Sequence, residues 1–179
     1  MSKFYLFLWL RWAFRVTLAS TALALFISFL ITAFIYFKQD MPALTLDVYQ
    51  ALGDILKFWF PIVWSLTLLL SLFRSLKYIF NICIAGYKLE LLSCNLSEKI
   101  EYIGYGDLLK IWRKWFMLII WIIGAQMIFS LAFTYLFTEF SGVFEWFDVY
   151  WLFAFILSSG YLSFILLSNR CKRVKVVKC

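Results

Sequence analysis

The stretch Trp115–Thr138, WFMLIIWIIGAQMIFSLAFTYLFT, runs for 24 residues without a charge, between Lys114 and Glu139. An α-helix needs about 20 apolar residues to cross a hydrocarbon core about 30 Å thick. In lipid only a helix or a closed barrel satisfies every backbone N–H and C=O. The run lacks the strict alternation of a barrel strand, so it reads as a transmembrane helix. Three further uncharged runs, Val16–Phe37, Phe58–Phe73 and Val149–Ser168, repeat the signal.

Composition agrees. Of 179 residues, 65% are hydrophobic and 15% charged, against about 45–50% and about 25% in soluble domains. That excess has no place in one small soluble core. The expected fold is a single-domain, all-α integral membrane protein, a four-helix transmembrane bundle with spans near 14–37, 57–77, 113–138 and 148–168. Between spans 2 and 3 lies a loop, 78–112, and a basic tail occupies 169–179. The first span is too long for a signal-peptide core and lacks a small-residue cleavage site, so it is retained.

Orientation follows from charge. The first fifteen residues carry three Lys/Arg, the 74–114 stretch seven and the tail five, leaving only Lys38 and Lys57 of the 17 elsewhere. Positive charge accumulates on the cytoplasmic side, which places both termini and the middle loop inside. The inner membrane of a bacterium is the expected location. Because the basic residues mark segment ends, no basic face is left to grip nucleic acid. Arg113, Lys114, Arg170, Lys172 and Arg173 are candidates for anionic lipid headgroups, each worth about 1 kcal/mol.

In the first outside loop, Leu44, Val48, Leu52 and Ile55 recur at helical spacing beside Asp47, Gln50 and Asp54. This predicts a short amphipathic helix at the membrane surface, with Thr45 as its N-cap. The second span then starts near Phe58, with Pro61 tolerated in its first turn. In the middle loop Asn95 and Glu98 fit a capping pair for a short helix near 96–103. Asp107 is placed to cap the third span from about Leu108.

Catalytic and metal chemistry find little support. The chain has no histidine, which removes His-ligated haem, His-rich metal sites and Ser–His or Cys–His pairs. No paired carboxylates and no phosphate loop occur, so an enzyme is not expected, nor is a cofactor. Cys83, Cys94, Cys171 and Cys179 show neither CxxC nor zinc spacing. On the cytoplasmic side they are expected to stay reduced, without a disulfide framework.

Ile103-Gly104-Tyr105-Gly106-Asp107 resembles the selectivity-filter signature of potassium channels, in which carbonyls replace the ion's hydration shell. That family's pattern places threonines ahead of the glycines, where this chain has Glu101 and Tyr102. No apolar pore helix precedes the stretch, and the charge count puts it on the cytoplasmic side. A glycine turn leading into a helix cap is the better reading.

Two polar features remain inside the spans. Thr17, Thr21, Ala24, Ser28 and Thr32 form one face of the first, and small or hydroxyl residues there let helices approach closely. Gln126 stands at the centre of the third span, where an amide seeks a partner, expected to be a hydroxyl of the first helix. On the fourth, Ala154 with Ser158 and Ser159 with Ser163 repeat small residues four apart and mark a close contact. These residues serve helix packing or line a polar path. The absence of a charge near mid-bilayer speaks against a pump or antiporter.

The expected function is therefore a non-catalytic structural or accessory subunit of a larger membrane complex, whose partners are the bilayer and another membrane protein or further copies of itself. Immunity to a toxin or exclusion of incoming DNA is the second class. A small channel or transporter is the third.

Overall fold

A computed structural model describes residues 2–39, 43, 45–92, 104–137, 148–170 and 174–179. In chain order these form α1 (Ser2–Lys38), α2 (Leu46–Lys77), β1 (Tyr87–Leu91), α3 (Tyr105–Phe137), α4 (Val149–Arg170) and β2 (Val174–Lys178). All four helices are long and apolar enough to cross a membrane. By length and composition the chain is a multi-pass, predominantly helical membrane protein. It divides into two compact units, residues 1–13 with 75–179, and residues 14–74.

Helix α1 begins at Ser2, well ahead of the expected start at 14. Phe4, Leu8 and Trp12 recur every fourth residue and are fully buried, while Lys3 and Arg11 stay exposed. Charges end an uncharged run, but on the outer face of an amphipathic helix they do not end the helix.

Helix α2 corrects a second expectation. The surface helix foreseen in the first outside loop and the second span are one continuous 32-residue helix. Asp54 and Lys57, which break the apolar run, form an exposed i, i+3 ion pair on it at 3.4 Å. Thr45 stands at the expected cap position, its carbonyl accepting the Tyr49 N–H at 3.1 Å. Pro61 is therefore not in a first turn but inside the helix, where it leaves the Lys57 carbonyl without its i+4 donor.

The all-α expectation fails beyond Lys77. Ala85 (φ 50°) and Gly86 (φ 80°) form a two-residue turn across which Ile84 and Tyr87 exchange both backbone hydrogen bonds, at 2.7 and 3.0 Å. Positive φ at both central positions is the type I′ arrangement, whose twist suits a hairpin. Strand β1 leaves this turn and pairs antiparallel with β2, from Tyr87 opposite Lys178 to Leu91 opposite Val174. Val174–Lys178 of the tail is thus a strand, and Tyr87–Leu91 of the middle loop is not helical.

A disulfide joins Cys83 to Cys179 across 96 residues of sequence, against the expectation of reduced thiols. The Cys179 N–H donates to the Gly86 carbonyl at 3.0 Å. Nothing in the spacing of the two cysteines reveals a pairing that depends on strands folding together. Cys94, Cys171 and the helix expected near 96–103 lie outside the described residues.

Helix α3 starts at Tyr105, so Asp107 sits in its first turn instead of capping it. Its carboxylate still faces the positive end of the helix dipole. Helix α4 has a true N-cap: Asp148 Oδ1 accepts the N–H groups of Tyr150 at 2.8 Å and Trp151 at 3.2 Å. These are the N2 and N3 donors that an N-cap carboxylate satisfies.

The core of the first unit is aromatic. Trp12 meets Trp115 and Phe164 edge-on, at centroid distances of 5.7 and 5.3 Å, while Trp115 and Phe164 stack at 5.9 Å. Leu76, Phe80, Leu89, Leu91 and Val174 are also buried, so both strands contribute to the core. Gly160 makes the closest approach: a Cβ there would fall 2.3 Å from Cζ3 of Trp12. Tyr5 and Ser168 share a hydroxyl hydrogen bond at 2.6 Å, and the Trp9 indole N–H donates to the Leu157 carbonyl at 2.7 Å.

In the second unit Val16, Ser20, Ala24, Ser28 and Thr32 form the buried stripe of α1. The Trp64 indole N–H donates to Ser20 Oγ at 3.2 Å and Thr67 Oγ1 to the Ser20 carbonyl at 3.1 Å, joining α2 to α1.

Candidate functional site

The polar residues expected on the first span divide in two. Thr21 Oγ1 bonds back to the Thr17 carbonyl at 2.6 Å, and Thr32 Oγ1 to the Ser28 carbonyl at 2.9 Å. Both follow the i−4 pattern of hydroxyls in apolar helices. Thr17 and Thr21 are only partly buried, and Ser20 takes the central place between them. Four-residue steps back from Ala24 reach Ser20 and Val16, so this signal was present in the spacing. Ser28 Oγ is buried and has no hydrogen-bond partner among the described residues, as has Ser71 Oγ on α2.

Gln126 and Ser158 are brought together. Gln126 Nε2 donates to Ser158 Oγ at 3.0 Å. Gln126 Oε1 lies 3.3 Å from Ser158 Oγ and 3.1 Å from Ser159 Oγ. The partner of the amide is therefore α4, not the first helix as expected, and Ser159, which the sequence marks with Ser163 for close packing, joins the cluster. Each serine has a competing acceptor in the Phe155 carbonyl, at 3.0 Å from Ser158 Oγ and 2.6 Å from Ser159 Oγ. Gln126 is half-buried, Ser159 buried and Ser158 exposed. A second tie between α3 and α4 is buried: the Trp115 indole N–H donates to Ser163 Oγ at 2.9 Å.

This cluster consists of one amide and two hydroxyls. It can donate and accept hydrogen bonds, but it has no group that titrates near neutral pH and no nucleophile with an adjacent base. Among the described residues no three His, Cys, Asp or Glu side chains gather to hold a metal ion. Of the basic residues singled out for lipid, Arg113 and Lys114 are exposed near the start of α3. Lys172 and Arg173 lie outside the described residues, as does the side chain of Arg170. Gly104 to Asp107 of the filter-like stretch form the lead-in and first turn of α3, where Gly104 accepts the Leu108 N–H at 3.1 Å.

Comparison with protein families, with curated protein sequences and with solved structures finds no match.

Proposed function

We propose that this chain is a non-catalytic accessory subunit of a membrane complex, residing in a bacterial inner membrane. The observation that carries the reading is where the polar groups of the spans direct their bonds. Thr21, Thr32, Thr134 and Ser163 bond carbonyls of their own helices. Trp64, Thr67, Trp115 and Gln126 bond a neighbouring helix. Groups engaged in this way hold helices together and do not hydrate or relay an ion. A framework role fits them better than flux does.

Both termini and the middle loop facing the cytoplasm follow from the positive-inside distribution. On that side glutathione and thioredoxin act on accessible disulfides. The pairing of β1 with β2 would then hold the tail whenever the Cys83–Cys179 bond is open. The test is mild-detergent purification from the native membrane, followed by a native gel and mass spectrometry of the band. A stoichiometric membrane-protein partner supports the reading. Its absence at every detergent mildness refutes it.

A further inference from the structure

We infer that the Cys83–Cys179 bond is a reversible thiol latch, closed by oxidation to fasten β2 on β1 and opened by a cytoplasmic dithiol. The inference rests on the orientation proposed above, which places this part of the chain on the cytoplasmic side. Access comes first. Both cysteines are exposed, so the thiolate of a reductant can reach either sulfur. Exposed disulfides are the labile, regulatory ones.

The fold also keeps the two sulfurs together when the bond is open. Strand β1 pairs with β2 over five residues, and Leu89, Leu91 and Val174 on these strands are buried. Beyond the ladder, the Cys179 N–H donates to the Gly86 carbonyl, and the turn returns Ile84, next to Cys83, against Tyr87. The two Cα atoms stand 6.1 Å apart, a normal disulfide separation. Thiols placed in this way stay within reach of each other, so the bond can form again.

Position decides what the bond controls. At Val174 β2 lies close in sequence to the end of α4 at Arg170. At its Lys178 end the bond ties it to Cys83, on the far side of the turn from β1. Opening the bond lets β2 peel from that end.

Opening is a two-electron exchange. A thiolate of the dithiol attacks Sγ of one cysteine, and the other cysteine leaves as a thiolate and takes a proton. The second thiol of the reductant then resolves the mixed disulfide, so the chain gains two thiols and the reductant becomes a disulfide. Oxidised glutathione reverses this. One cysteine thiolate attacks it and releases a first glutathione, and the second cysteine displaces the other.

The experiment uses membrane vesicles holding the full chain with Cys94→Ser and Cys171→Ser, beside the wild type. Inverted vesicles present the cytoplasmic face, and right-side-out vesicles the opposite one. After dithiothreitol, an impermeant maleimide should label the two cysteines in inverted vesicles only. Added thioredoxin should open the bond there, and oxidised glutathione should close it. Lys175 and Lys178 are exposed, so trypsin reports on β2. Proteolysis follows the population of the opened strand, and cleavage after Lys175 should quicken about thirty-fold or more when the bond opens. Cys83→Ser should be cleaved at the faster rate whatever the redox buffer. Labelling from the right-side-out face refutes the orientation, and a cytoplasmic latch with it. With the orientation intact, the latch is overturned if thioredoxin leaves the bond closed or oxidised glutathione fails to re-form it. Cleavage that is indifferent to the bond overturns it too.

Discussion

Gly160→Ala is the sharpest test of the packing. The added methyl would lie 2.3 Å from Cζ3, 2.7 Å from Cη2 and 3.1 Å from Cε3 of the Trp12 ring. That ring is 1% exposed and is held edge-on between Trp115 and Phe164, so it has little room to withdraw. Overpacking of this kind costs about 1–3 kcal/mol, while replacing a helical glycine by alanine returns about 1 kcal/mol. The expected outcome is a net loss of about 1–2 kcal/mol, with the upper part of the overpacking range favoured because two further rings must shift. Gly124 on α3 supplies the control, since nothing lies within 4 Å of its would-be Cβ. Gly124→Ala should therefore stabilise by about 0.5–1 kcal/mol, an opposite sign from the same chemical change. Reversible unfolding in mixed micelles, followed by tryptophan fluorescence, reads both. Trp12→Leu should relieve Gly160→Ala, so that the double variant loses at least about 1 kcal/mol less than the two singles together. If Gly160→Ala is as stable as the wild type, the close approach of α1 to α4 is wrong.

Reducing the Cys83–Cys179 bond, or replacing Cys83 by serine, should lower stability by about 2–4 kcal/mol. Mobility on a non-reducing gel and thermal unfolding with and without dithiothreitol would check this, and Cys83→Ser should be insensitive to the reductant. Asp148→Ala removes the acceptor for two N–H groups of the first turn of α4 and should cost about 1 kcal/mol, whereas Asp148→Asn should retain most of it. Ala85 holds φ at +50°, a conformation that costs an L-residue about 1–2 kcal/mol. Ala85→Gly should thus stabilise the turn by up to about 1 kcal/mol, measured by hydrogen exchange of the Tyr87 amide, because glycine gives part of the gain back in chain entropy.

The spans were legible because each is a local property: a long uncharged run needs no other part of the chain to be recognised. Gln126 was legible for the same reason, as an amide in the middle of such a run, but its partner was not. Which hydroxyl it meets depends on how α3 and α4 align, and the small-residue spacing of α4 was compatible with several neighbours. Helix ends were misread wherever a charge stood on an outer face, as at Arg11, Asp54 and Lys57. The strands were not legible at all. Val174–Lys178 has five residues and a weak alternation, and its partner is a segment more than 80 positions earlier. Ser20 was missed by one position, about 100° round the helix, because Thr17 and Thr21 offered a rival set of hydroxyls on the neighbouring face.

The union of β1 with β2 also has a consequence for timing. A ribosome adding about 5–20 residues per second needs roughly 5–20 s to make the 96 residues that separate Cys83 from Cys179. During that interval α3 and α4 are inserted while β1 still presents a row of unanswered backbone groups. The hairpin turn at Ala85–Gly86 can form at once, but its strand waits until β2 has been made. Nascent copies at high density therefore have a window in which one chain's β2 can reach another's β1, and closure within a single molecule has to win that race.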